Sequence, residues 1–364
     1  MHYLDANASE PLRPEAKIAM DAAFEVTGNP SSVHAAGRAA RRLLEDARER
    51  IAARFGVRGQ DVVFTSGGTE ADALAVHALG LNRRIILGAT EHDAVRAAAP
   101  GAAILPVDRQ GVTDLDALRH WLGSGPVALV CLMLANNETG VLQPIAEAAA
   151  LCRAHGALLH VDAVQAAGRI PVNMVTLGCH SIALSAHKLG GPAGVGALLI
   201  SPDLAIDPLI AGGGQERGRR GGTQALAAIA GFAAVCDLSS DQTRLAALRD
   251  RVEAVAIRQG AVVCGGDGPR LANTTSLALP GVRADAQVMA LDLDGIAVSA
   301  GAACSSGKVQ TSHVLSAMGL GALAGQAIRV SLPWSVTDDA IEAFESAYGR
   351  MAARMRMALV PGTA

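Results

Sequence analysis

Ala157-Leu158-Leu159-His160-Val161-Asp162-Ala163-Val164-Gln165 and, further on, Ser181-Ile182-Ala183-Leu184-Ser185-Ala186-His187-Lys188 decide how this chain folds. Each is an apolar run too short for an ordinary helix, and each breaks abruptly into polar residues. That is the pattern of a buried strand running into a loop. Comparable runs occur at Val62-Val63-Phe64, Ile85-Ile86-Leu87, Ala103-Ile104-Leu105, Val127–Leu134 and Val195–Ile200, separated by Ala-rich helical stretches. Strands of this kind, alternating with helices, predict a mostly parallel seven-stranded sheet covered on both faces. The spacing varies, so no internal repeat is read.

Outward from that block, Leu204–Gly222 is rich in Gly, Pro and Arg and reads as a long functional loop. A helical stretch follows from Gln224 to about Gln259, broken near Leu238–Asp241, and then a smaller α/β unit. With 364 residues the chain exceeds a single domain of about 150. The expected division is a large domain over residues 12–245 and a small one made of 1–11 and 246–364. Aromatic residues are 2 % of the chain and hydrophobic residues 50 %, so the core must be packed with small aliphatic side chains.

Composition narrows the class of function. A net charge of −3 argues against a general nucleic-acid binder, and the Arg38, Arg41 and Arg42 trio reads as a solvated helix face. No stretch approaches the roughly 20 apolar residues of a membrane span. The N-terminus shows no secretory signal, so a cytoplasmic location is expected. The six cysteines, Cys131, Cys152, Cys179, Cys236, Cys264 and Cys304, form no CxxC pair, which leaves zinc and a disulfide framework unsupported. Five sit among aliphatic residues and read as buried thiols. Cys304 instead lies in Ser299-Ala300-Gly301-Ala302-Ala303-Cys304-Ser305-Ser306-Gly307, a small, polar segment suited to an exposed thiol.

In parallel α/β folds ligands sit beyond the C-terminal strand ends, and the polar segments fall there. Lys188, before Gly190-Gly191-Pro192, fits a Schiff-base lysine, because burial near other cations favours the neutral amine. Read alone, it is better taken as a surface residue. Asp162 ends an apolar strand, where a pyridinium nitrogen is one cation able to offset the burial of a carboxylate; a helix-capping Asp is the alternative. Ser66-Gly67-Gly68-Thr69-Glu70 can wrap an anion at a helix start, yet lacks the P-loop lysine and the GxGxxG spacing, so a single phosphate is the economical ligand. His92, after another apolar strand, could lie against a cofactor ring or be purely structural.

These pieces carry a resemblance. Tyr3-Leu4-Asp5, Gly28–His34, Thr65–Glu70, Asn136–Gly140, His160–Gln165, Ser185–Lys188, Gly212–Thr223, Ser299–Ser306 and Ile328–Leu332 resemble, in order and spacing, the motifs of cysteine desulfurases of the NifS/IscS group. That group belongs to the class V aminotransferase family, fold type I of the pyridoxal-phosphate enzymes. The resemblance implies pyridoxal 5'-phosphate carried covalently on Lys188, with Asp162 on its ring nitrogen and Gln165 on its phenolic oxygen. It implies a catalytic His92, stacked on the ring and shuttling protons, and Gly68, Thr69, Ser185 and His187 at the phosphate, with Thr223 reaching in from the second subunit of a homodimer. Asn137 would sit by cofactor and substrate, Arg329 would clamp the substrate carboxylate, and no metal is implied. Cys304 would take sulfur from L-cysteine as a persulfide, leaving L-alanine, and pass it to an acceptor protein for iron–sulfur cluster assembly or thiolation.

Three departures accompany the resemblance. Pro333-Trp334 follows Leu332 where many relatives have Gly-Arg, and Arg220 precedes Gly221-Gly222-Thr223 rather than Ser-Gly-Thr. The chain also ends soon after its final helix, which leaves the acceptor open. Rival readings are a selenocysteine lyase or aminotransferase on the same fold, and a catalytically silent sulfur-relay partner. Lys188, Asp162 and Cys304 are all present, which disfavours the last.

Overall fold

The computed structural model describes residues 1–202, 204–301 and 311–359. In chain order its first elements are β1 (His2–Tyr3), α1 (Pro14–Phe24), α2 (Ala35–Phe55), β2 (Val62–Thr65), α3 (Gly68–Gly80), β3 (Arg84–Gly88), α4 (Asp93–Ala98) and β4 (Ala103–Leu105). There follow β5 (Ala128–Met133), β6 (Leu158–Asp162), β7 (Ser181–Ser185), β8 (Gly196–Ile200), β9 (Val262–Val263), β10 (Thr274–Ala278), β11 (Ile296–Ala297) and β12 (Ala327–Ser331).

The main sheet has seven strands in the order β2-β8-β7-β6-β5-β3-β4. Only β8 runs antiparallel to its neighbours. The short link from Ser185 to Gly196 carries no crossover helix, and parallel neighbours need one. The mean hydropathy of +0.29 finds its explanation here: β5, β7 and β8 are buried at every residue. Alternate side chains feed separate apolar layers. Val130, Leu132, Val161, Ile182 and Leu199 pack on one face, and Leu129, Cys131, Ala183 and Leu198 on the other. The seven strands read from the sequence are those observed, and the helical stretch after Gln224 is two helices, Leu226–Val235 and Gln242–Arg258.

A three-stranded antiparallel sheet, β12-β10-β9, has its own core, drawn from Leu4, Leu248, Val252, Ile328, Phe344 and Tyr348 among others. The N-terminus belongs to this part. β1 pairs in parallel with β11, and Ser331 N donates to Leu4 O at 2.9 Å. All five cysteines among the described residues are buried, as expected. Arg38, Arg41 and Arg42 are exposed on α2.

The expected long loop is braced against the sheet edge. β2 is an edge strand, and its unpaired backbone groups need partners. Phe64 N donates to Glu216 Oε2 (2.9 Å), and Val62 O accepts from Arg48 Nη1 (2.9 Å). Arg48 and Glu216 are themselves joined by bonds of 2.7 and 2.9 Å, with side chains 4 % and 1 % exposed. Glu216 takes a left-handed φ of 47°, a conformation that only such bonding would hold for a glutamate. Removing one partner of a buried pair leaves an uncompensated charge worth about 3–5 kcal/mol. Arg48→Ala is therefore expected to lower the unfolding free energy by about 3 kcal/mol or more in urea titrations. A loss below about 1 kcal/mol would show that the brace carries no such burden.

Candidate active site

A cavity of about 500 Å³ opens where β2, β5, β6 and β7 end, and Lys188, Asp162, Gln165, His92, Asn137 and Arg329 all line it. Gly68, Thr69, Ser185 and His187 line the same cavity. Ten of the twelve residues singled out from the sequence thus line one cavity. Thr223 is exposed and stands away from it. Cys304 lies outside the described residues.

α3 starts directly after β2, and its first amides have no acceptor within the helix. Gly68 brings that backbone close, since a Cβ there would sit 2.7 Å from Val164 Cγ2. Glu70 ties the turn down: it accepts from Ser66 N (2.7 Å) and pairs with Arg220 (2.8 Å), three residues before Thr223. The positive end of a helix, a neutral His187 and the Ser185 hydroxyl together suit a phosphate. His187 is pushed down to about 4 by burial and by the Lys188 charge.

Lys188 follows β7 on a single 3₁₀ turn. Its Nζ donates to Ala8 O (3.0 Å) and to Asn7 O, both from the N-terminal segment. Burial first, then the charges of Arg329 and Arg169, lower its pKa to about 7. Asp162 closes β6, and its Oδ1 accepts from Val164 N at 2.9 Å. That bond closes a turn and not a helix, so the helix-capping alternative is not what the structure shows, and the same carboxylate lines the cavity. Burial, then the nearby Asp72, raises its pKa.

Gln165 is anchored at both ends: Nε2 donates to Asn7 O (2.9 Å), and Oε1 accepts from Arg169 (2.6 Å). His92 caps α4 by accepting from Ala94 N (3.1 Å), so it too is structural while facing the cavity. Arg329 on β12 is 5 % exposed. It donates to Asp5 Oδ1 (2.6 Å) and Asn137 O (3.1 Å), whereas its buried Nε has no partner among the described residues. An arginine lining such a cavity is suited to pairing with a carboxylate.

Sequence reasoning missed Asn7, Ala8 and Asp72, which also line the cavity. Asp72 had a signal. It stands four residues after Gly68, on the same face of α3, as a carboxyl within an otherwise apolar stretch. The N-terminal pair had none, because its approach depends on strand pairing with distant residues. Of the departures, Trp334 stacks with Arg13 (4.8 Å) and its backbone N donates to Glu10 Oε1 (2.5 Å), outside the cavity.

The family model described as aminotransferase class-V matches residues 2–344. The chain is 41 % identical to an IscS-like cysteine desulfurase of Mycobacterium tuberculosis, with 99 % of this chain and 98 % of that protein covered. It is 43 % identical to a cysteine desulfurase of Cereibacter sphaeroides, covering 91 % and 90 %. Among solved structures it is similar to a NifS-like protein from Rickettsia africae, with a TM-score of 0.89, 35 % identity and coverage of 97 % and 99 %.

The lysine generates a pH signature. Its folded pKa lies below the unfolded value of 10.5, so the unfolded chain binds more protons between about pH 7 and 10.5. Stability from this group therefore rises with pH across that window, and the penalty is fully present below it. Amine-labelling of the cofactor-free protein, read by peptide mapping, is expected to reach half its maximum near pH 7 at Lys188 and far higher at exposed Lys17. Coincident titration of the two would contradict this account.

Proposed function

The chain belongs to the aminotransferase class-V family, and on that footing we propose that it is a cysteine desulfurase using pyridoxal 5'-phosphate. The observation that carries the proposal is one cavity holding a buried lysine amine, a buried carboxylate and a helix start. The residues fit the cofactor. Lys188 would hold it covalently, Asp162 would meet the ring nitrogen, and Gln165 the phenolic oxygen. His92 would lie against the ring, while Gly68, Thr69, Ser185 and His187 would take the phosphate. Bound there, pyridoxal phosphate supplies a carbonyl that condenses with amines and a protonated ring that withdraws electrons from the substrate α-carbon.

The chain's own groups do the rest. Arg329, which lines the cavity, would receive the carboxylate of L-cysteine, with Asn137 beside it. Lys188, uncharged for about half the time near neutrality, is suited to lifting the α-proton. The Cys304 thiolate attacks the substrate sulfur: the new S–S bond forms, the Cβ–S bond breaks, and its electron pair passes to Cβ, which is protonated to give L-alanine. The described flank supports this role. Gly301 lines the cavity, and three residues of chain span at most about 10 Å.

We further propose a homodimer in which exposed Thr223 enters the partner's cavity, supported by the brace that fixes Arg220 near the phosphate turn. The persulfide would pass to an acceptor protein of iron–sulfur assembly or thiolation. No described helix is long and apolar enough to cross a membrane, which supports a cytoplasmic setting. The separate core that Leu4 shares with Leu245 and later residues supports a division close to the proposed 12–245 boundary.

Incubation with L-cysteine and mass analysis of the Cys304 peptide is expected to show one added sulfur atom. Cys304→Ala is expected to keep the visible cofactor band while sulfide release falls at least about 100-fold. Release undiminished in that variant would defeat the reading. Arg329→Lys, losing about 2 kcal/mol of carboxylate pairing, is expected to raise KM for cysteine roughly 30-fold with a smaller change in kcat.

A further inference from the structure

Ser299 and Gly301, which line the cavity, and Ser312 flank the stretch of chain that carries Cys304. Ser299 is joined to Arg329 by two backbone bonds: Arg329 N donates to Ser299 O at 2.7 Å, and Ser299 N to Arg329 O at 3.2 Å. Gly301 has a left-handed φ of 75°, and a Cβ added there would stand 3.0 Å from Glu138 Oε2. Ser312 Oγ donates to that same oxygen at 2.6 Å. One carboxyl oxygen therefore stands against both flanks.

The bond at Ser312 is well defined. Its Oγ accepts from Leu315 N (3.0 Å) at the start of the short helix His313–Ala317, which leaves its own proton for Glu138. Burial raises the Glu138 pKa, yet the contact does not depend on charge, because a neutral carboxyl also makes this hydrogen bond. Glu138 is 2 % exposed and sits on a turn after β5 that Asn136 ties down. Asn136 Oδ1 accepts from Glu138 N (2.9 Å) and Thr139 N (3.0 Å), and its Nδ2 donates to Thr90 O (3.1 Å). The residue between them, Asn137, lines the cavity, and its O accepts from Arg329. The turn that holds the flanks is thus the turn that meets the arginine of the site.

We propose that Glu138 is a positioning residue for sulfur transfer: it tethers both flanks of the Cys304 segment at the cavity and so keeps the thiol within reach of the substrate sulfur. This deepens the desulfurase reading and rests on it. A chain held at both ends explores far less volume than one held at a single end, which raises the local concentration of any group between the ends. Residues 302–311 held in this way reach at most about 17 Å from their ends. Loss of the tether dilutes the thiol and leaves the substrate-binding groups in place.

The test is a single turnover of the cofactor-loaded protein with L-cysteine, read in two ways. The change in the visible cofactor band reports engagement of the substrate, and mass analysis of the Cys304 peptide reports sulfur addition. In Glu138→Ala the band change is expected to keep its rate within about twofold while sulfur addition slows roughly tenfold, the equivalent of one lost hydrogen bond. Glu138→Gln keeps an acceptor oxygen and is expected to recover the rate to within about threefold. Ser312→Ala removes the same bond from its other end and is expected to slow the same step, the double variant being no slower than the slower single one. In the cofactor-free protein, hydrogen exchange of the peptide holding Ser312 and Leu315 is expected to quicken in Glu138→Ala and not in Glu138→Gln. Sulfur addition at the wild-type rate in Glu138→Ala, equal slowing of both readouts, or no recovery in Glu138→Gln would each overturn the proposal. Wild-type protein that adds no sulfur to Cys304 would instead overturn the desulfurase reading beneath it.

Discussion

Burial strips water from the Lys188 amine while the guanidinium groups of Arg329 and Arg169 repel its charge, and this opposition governs the rest of the site. An ordinary ammonium at this position would be a strong acid by lysine standards, so the amine spends much of its time neutral at physiological pH. Both arginines are held by other groups, Arg329 by Asp5 and Asn137 and Arg169 by Gln165 and Glu10. Their fields are therefore fixed in direction. The carboxylates of Asp162 and Asp5 act in the reverse sense. The cavity lining thus carries groups of both signs, and a ligand carrying both signs of charge is what such a lining selects.

Much of this was legible in the chain. The seven apolar runs identified the sheet because strands buried on both faces leave no alternation to obscure them, and the polar breaks at Asp162 and Lys188 marked the rim. The fold and family expected from the motifs agree with the comparisons over nearly the whole chain. What stayed hidden was long-range. Asn7 and Ala8 meet Lys188 only because β1 joins β11 and residue 6 joins residue 331, and no local pattern encodes that. Asp72 was hidden differently, since one acidic residue in a helix usually faces solvent, and only the tertiary structure turns it toward His160.

The two braces around the phosphate turn show how a loop without regular structure is positioned. Glu216 gathers Arg48, Phe64 N and Gln224, while Glu70 gathers Ser66 N and Arg220. Hydrogen bonds here replace the packing that a Gly-rich segment lacks side chains to provide. The loop is thereby held at the sheet edge, and Thr223 is presented outward at its end.

The position of Asn7 has a consequence for biosynthesis. Its side chain bonds to Thr274 and its backbone N to Ser331, so residues that leave the ribosome first must wait for partners that leave among the last. Translation therefore produces a long-lived nascent chain whose seven-stranded sheet can assemble while the lysine still lacks its Asn7 and Ala8 acceptors. The setting of Lys188 is complete only once Ser331 has emerged.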